Sequence, residues 1–247
     1  MRVTVVGASG EFGSILSEIL EQRGAQVTRA HRATGVDAVT GEGLTQACAG
    51  ADVVVDATGT MVRSATESEE FFGAVARNIA IAADETGAAV VYLTIYGASD
   101  PAVNKKMGHY RGKAVQEATY AEMLGGAATA FRSTQWYSLP EKFLAMMSVG
   151  PFGAAPRMTS KPAAVEDVAA AMVDVVLDPN RPADLTVAGP AVMDLADAAK
   201  AIAAKKGSPK KVFAVNFGGA AVRAGGLVPE HPDVTTTTTF AQWLERR

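Results

Sequence analysis

The first thirteen residues, Met1-Arg-Val-Thr-Val-Val-Gly-Ala-Ser-Gly-Glu-Phe-Gly13, constrain this chain more than any other stretch. Val3 to Val6 form a short apolar run of the kind a buried strand uses. A helical pattern follows at once, with Phe12, Ile15, Leu16, Ile19 and Leu20 on one face. Between them lies Gly7-Ala8-Ser9-Gly10-Glu11-Phe12-Gly13. Strand, glycine turn and helix together form the entry to a dinucleotide-binding fold. Gly7 allows the tight turn, Gly10 lets the backbone approach a pyrophosphate, and Gly13 lets the helix pack closely on the strand. The N–H groups and dipole at the helix start favour the phosphates, so Ser9, Glu11 and Phe12 fall within the expected site. The spacing is Gly-x-x-Gly-x-x-Gly, not the Gly-x-Gly-x-x-Gly of the common dehydrogenase fingerprint. The alternative is a plain strand-to-helix turn.

Strand and helix patterns then alternate. Strands are expected at 25–30, 53–57, 89–95 and 127–132, with a very short one before Asp37. Helices are expected at 44–49, 67–86 and 105–124. The pattern loosens after Leu139, at Pro140, Pro151, Pro156 and Pro162, and resumes with a helix at 166–177, a strand at 185–188 and a helix at 191–206. The threonine run 235–239 reads as an extended linker ending in a helix cap, before a last helical turn at 240–244. This alternation implies an α/β fold: a Rossmann-type, doubly wound parallel sheet with a small C-terminal substrate lobe. Its 247 residues suit one NAD(P)-binding domain over 1–247, with 139–247 contributing most of the lobe.

Composition narrows the partners. A net charge of −3 argues against a general affinity for nucleic acid or acidic membranes. No apolar stretch reaches the roughly 20 residues of a membrane helix, and no secretory leader is visible. The single cysteine, Cys48, cannot form an intrachain disulfide, which fits a reducing cytoplasm. His31, His109 and His231 are scattered, so no metal site is expected. A small-molecule substrate and a monomer or homodimer are the expected associations.

In such sheets ligands bind beyond the carboxyl ends of the strands. The second strand ends Arg29-Ala30-His31-Arg32, without the acid that would bind a ribose 2′-hydroxyl and repel a 2′-phosphate. Arg32 is best placed to grip that phosphate, so NADP(H) is expected over NAD(H). Asp37 either accepts a hydrogen bond from an adenine amino group or makes a local turn. Ala57-Thr58-Gly59 offers small residues beside a cofactor. Thr94 brings a hydroxyl to the end of its strand. His109, Tyr110 and Lys113 share a helix face, and Lys113 is suited to a nicotinamide ribose and to lowering the pKa of a neighbouring hydroxyl. Trp136, Tyr137, Phe143, Met146 and Met147 either shape an apolar pocket or are plain core.

The glycine loop, the Thr94 strand end, the Lys113 helix and Phe131-Arg-Ser-Thr-Gln-Trp136 together resemble the atypical short-chain dehydrogenase/reductase superfamily. They are most similar to its NmrA-like NAD(P)H-binding branch. Pro162-Ala-Ala-Val-Glu-Asp-Val168 and Val187-Ala-Gly-Pro190 resemble later segments of that branch. The resemblance implies a cofactor contact at Ser133 and a catalytic group of Thr94, Lys113 and a proton donor. The superfamily's Tyr-x-x-x-Lys pattern places His109 where the tyrosine stands, with Tyr110 one residue late and rotated by about 100°. Three functions stay open. The first is an NADPH-dependent reductase of a small carbonyl or quinone compound, the second a non-catalytic NAD(P) redox sensor, and the third a nucleotide-sugar epimerase.

Overall fold

The structure is a computed structural model that describes residues 1–60 and 64–247. The chain opens with β1 (Arg2–Val6), α1 (Glu11–Gln22) and β2 (Gln26–Ala30), followed by α2 (Leu44–Cys48), β3 (Val53–Asp56) and α3 (Ala65–Thr86). It continues through β4 (Ala89–Ile95), α4 (Pro101–Asn104), α5 (Gly108–Leu124) and β5 (Ala128–Ser133). Then come α6 (Leu139–Met146), β6 (Ser148–Val149), β7 (Phe152–Arg157), β8 (Thr159–Ser160), α7 (Val165–Leu177) and β9 (Asp184–Ala188). The last elements are β10 (Met193–Asp194), α8 (Leu195–Lys206), β11 (Lys211–Asn216), α9 (Ala220–Arg223), β12 (Val234–Thr235) and α10 (Phe240–Glu245).

Seven strands form one sheet in the order β12-β9-β5-β4-β3-β1-β2, and every pairing is parallel. Alternating side chains feed two cores, as a parallel sheet covered on both faces requires. Val3, Val5, Val53, Val55, Val91 and Leu93 meet α1 and α7 on one face. Val6, Val54, Val90 and Tyr92 meet α2, α3 and α5 on the other. Strand order reverses at β1, flanked by β2 and β3, so the crevice beyond the carboxyl ends of β1 and β3 is the ligand position for this topology. Among the described residues no helix is long and apolar enough to cross a membrane.

Several boundaries differ from the sequence reading. The region before Asp37 is not a strand; a single bridge between Asp37 and Glu42 closes a turn. The helix expected from Lys105 is two: α4 begins at Pro101 with Asp100 as its cap, and α5 starts only at Gly108, after an extended Met107. The helix expected from Ala191 starts at Leu195, because Met193 and Asp194 pair with β8 and the Asp194 carboxylate accepts the N–H of Ala196 at 2.8 Å. The threonine run is strand at its first residue, with Thr235 paired to Ala188, and Thr239 does cap α10.

The segment 139–247 also divides: α7, β9 and β12 return to the large sheet. The lobe itself comprises α6, the three-stranded sheet β11-β7-β6, the pair β10-β8, and the helices α8 and α10.

Candidate functional site

The loop between β1 and α1 is stitched by its own backbone. The N–H of Gly7 donates to Ala30 O at 2.9 Å, and that of Gly10 to Gly7 O at 3.0 Å. Gly7 has φ +85°, and a Cβ there would lie 2.9 Å from the carbonyl of Ala57. A Cβ on Gly13 would lie 2.3 Å from Gly7 O. Gly10 is the extended N-cap of α1 and has no side chain to cap it. The first N–H groups of a helix lack intrahelical partners, so α1 presents uncapped donors and a positive dipole end inside a backbone cradle. Ser9, Gly10 and Glu11 are exposed at its rim, and Phe12 is buried beneath it. These features fit the diphosphate of a dinucleotide.

At the end of β2 the two arginines differ. Arg29 is held in a bidentate pair by Glu21, at 3.1 and 3.0 Å. Arg32 is exposed, and its guanidinium makes no hydrogen bond or ion pair among the described residues. Asp37 makes the local turn that the sequence offered: its Oδ1 accepts the N–H groups of Val39 and Thr40 at 2.8 and 3.3 Å.

The Ala57–Gly59 wall of the crevice is set by Asp56, which the sequence reading passed over. This fully buried carboxylate accepts Thr58 N at 2.9 Å and Thr58 Oγ1 at 2.6 Å through Oδ1. Through Oδ2 it accepts Gln116 Nε2 at 2.6 Å and Tyr120 OH at 2.9 Å. Lys113 joins the same network. Its Nζ donates to Leu93 O at 2.7 Å, Gln116 Oε1 at 3.0 Å and Thr58 O at 3.5 Å, and it lies 4.2 Å from the Phe72 ring centre. Burial pulls its pKa down to about 8, opposed by the charges of Asp56 and Glu117.

The remaining expected catalytic groups are not aimed at a common point. Thr94 shares the face of Tyr92, is fully buried, and donates to Glu117 Oε1 at 2.8 Å. Its hydroxyl is therefore not available to polarise a substrate carbonyl, because strand alternation turns it toward α5. Glu117 is further bound by Ser99 at 2.7 Å and by Arg132 at 3.6 Å. Tyr110 points instead into the apolar cluster of Met107, Met158, Val222 and Leu227, where its hydroxyl accepts from Gln135, itself bonded to Ser160. Burial raises its pKa. Ser133, expected to touch the cofactor, is buried, with its hydroxyl donating to Thr134 O and accepting from Trp136 Nε1 at 3.0 Å. Of the candidate pocket residues, Trp136 stacks on Phe12 with ring centres 5.4 Å apart, and Phe143 borders the Tyr110 cluster. Tyr137 is core of the lobe, and Met146 and Met147 are exposed.

No protein-family model matches the chain, and no curated protein sequence matches it. Solved structures do. A dTDP-4-dehydrorhamnose reductase from Bacillus anthracis, in complex with NADP, superimposes with a TM-score of 0.73 over 99% of this chain and 97% of its own, at 15% identity. An NADPH-dependent quinone oxidoreductase from Escherichia coli, complexed with NADPH, gives 0.69 over 99% of each chain at 18% identity. A short-chain dehydrogenase/reductase superfamily protein from Agrobacterium tumefaciens, with bound NAD, gives 0.70 over 100% of this chain and 95% of its own at 15% identity. The chain shares the α/β Rossmann-type fold of these structures.

His109 occupies the tyrosine position of the superfamily pattern read from the sequence, and its surroundings decide its protonation. It lies edge-on to Phe72, with ring centres 5.3 Å apart. Burial, with a smaller contribution from the charge of Lys113, pushes its pKa down to about 4. At pH 7, well above that value, His109 is neutral. The lowered value has a thermodynamic consequence. Below its ordinary pKa of 6.5 the unfolded chain takes up a proton that folded His109 refuses, so stability falls between pH 6.5 and 4. His109→Gln is expected to remove about 2 kcal/mol of the stability lost between pH 7 and 4.5. Urea denaturation at the two pH values measures this, and an unchanged loss in the variant would refute it.

Proposed function

We propose that the chain is an NADPH-dependent reductase of a quinone-type compound. The observation that carries this reading is the uncapped start of α1 within a cradle built from backbone, with the unpaired Arg32 beside it at the end of β2. The cradle suits the diphosphate, and Arg32 suits a 2′-phosphate. When bound, the nicotinamide supplies a hydride. The chain's own part is placement: Asp56 fixes the Ala57–Gly59 wall, and Trp136 on Phe12 closes the loop from the lobe side.

The acceptor class follows from what the site lacks. His109 is neutral, Thr94 is committed to Glu117, and Tyr110 is enclosed in the lobe interface. An isolated aldehyde or ketone needs an acid as its oxygen gains charge. A quinone spreads that charge over its ring and can take its protons from water. The E. coli structural neighbour that reduces quinones supports the same class. NADPH oxidation, followed at the nicotinamide absorbance band with quinones, aldehydes and ketones, tests this: turnover is expected with quinones and little with the others. Tight NADPH binding with no turnover for any acceptor would favour the redox-sensor reading, which the enclosed hydroxyls and neutral imidazole also suit.

Arg32→Ala is expected to weaken NADPH binding between tenfold and a hundredfold, the loss of a charge-assisted phosphate contact, and to leave NADH binding unchanged. Paired titrations check it, and equal losses would dismiss the 2′-phosphate role.

A further inference from the structure

The lobe touches the glycine loop at two places. Trp136, just before α6, stacks on Phe12, and Lys142 of α6 reaches across to Glu11, with Nζ 2.6 Å from Oε2. Glu11 is the first residue of α1, following the N-cap directly. Its carboxylate interacts well with the dipole of an empty helix start. Toward a bound diphosphate it is a like charge at the same end, and opposes it. Both partners of the ion pair are partly exposed, at 43% and 32%, and such pairs add little to stability. The pair therefore stands out for its position. An ammonium has three donors, of which Glu11 uses one.

We propose that Lys142 is a diphosphate ligand supplied by the C-terminal lobe, and that it also cancels the charge of Glu11 at the anion site. This rests on the dinucleotide reading above. Lys142 acts on the part common to NADPH and NADH, whereas Arg32 acts on the 2′-phosphate that only NADPH has.

The test is titration of NADPH and of NADH, followed by nicotinamide fluorescence, with wild type, Lys142→Ala, Lys142→Arg, Glu11→Gln and the double variant Lys142→Ala with Glu11→Gln. Lys142→Ala is expected to weaken both nucleotides alike by about tenfold, and Lys142→Arg to bind like wild type. Glu11→Gln is expected to tighten both by about threefold, and the double variant to recover part of the Lys142→Ala loss. Unchanged affinity in Lys142→Ala would overturn the proposal, as would a loss confined to NADPH or a weakening in Glu11→Gln. Failure of the wild type to bind either nucleotide would overturn the dinucleotide reading itself, an outcome distinct from wild-type binding with an indifferent Lys142.

Discussion

Asp56→Ala is expected to lower the melting temperature by roughly 10 °C or more and to weaken nucleotide binding with it. The carboxylate is fully buried and accepts four hydrogen bonds, from Thr58 N, Thr58 Oγ1, Gln116 Nε2 and Tyr120 OH. Its removal leaves these donors unpaired in the interior. It also withdraws the negative charge that supports the Lys113 ammonium, which is buried two hydrogen bonds away through Gln116. Breaking a buried charge network from one side costs about 3–5 kcal/mol, and each kcal/mol is worth roughly 2–4 °C in a domain of this size. The same loss releases Thr58, hence the wall against which Gly7 is packed at a distance no Cβ fits. Thermal unfolding by circular dichroism and NADPH titration read the two effects. A melting temperature within a few degrees of wild type would show that the network is dispensable.

Asp56 also marks the limit of what the sequence discloses. The β-α-β alternation, the sheet strands and the glycine loop are legible because each rests on a local signal: apolar runs for strands buried on both faces, and glycines where a Cβ meets backbone. Asp56 closes such a run, Val53-Val54-Val55, and an acid ending a buried strand is a visible signal, but its four partners come from three residues spread over the next 64 positions. The face of α5 that meets the sheet is harder still. Gly112, Lys113, Gln116 and Glu117 are all buried there, so the helix has no apolar stripe pointing to its inner side. The spacing of three and four residues from Lys113 could have brought Gln116 and Glu117 forward.

Thr94 shows the opposite failure. Its position at a strand end was legible, but one residue of strand register decides the face, and the partner Glu117 lies 23 positions away. In the lobe, β7 reads Phe-Gly-Ala-Ala-Pro-Arg, a composition that disfavours strand. It is a strand because β11 pairs along its whole length, while small residues let its other neighbours close in; a Cβ on Gly153 would lie 2.6 Å from Pro209. Pro156 is tolerated because β6 pairs only with Phe152 and Gly153, which leaves that edge free.

The glycine loop permits a prediction in which fold and binding separate. Gly13→Ala is expected to abolish nucleotide binding and to destabilise the chain, whereas Gly10→Ala is expected to abolish binding alone. A Cβ added at Gly13 would meet Gly7 O at 2.3 Å and Ala8 Cα at 3.0 Å, all backbone, so α1 has to move away from β1. Overpacking of this kind costs about 1–3 kcal/mol, and the displaced helix start can no longer aim its N–H groups at an anion. Two charge-assisted hydrogen bonds lost amount to roughly a hundredfold or more in affinity. Gly10 differs. Its φ of −78° suits any residue, and an added Cβ has a single neighbour, Gly7 O at 3.3 Å. The fold should accept alanine there with a melting temperature within about 2 °C of wild type. A methyl group at the exposed N-cap nonetheless stands where a diphosphate has to approach the backbone. Melting curves and NADPH titrations on both variants decide the matter. Undiminished binding in Gly10→Ala would mean that no phosphate lies against this turn, and would reduce the glycine spacing to a packing device between β1 and α1.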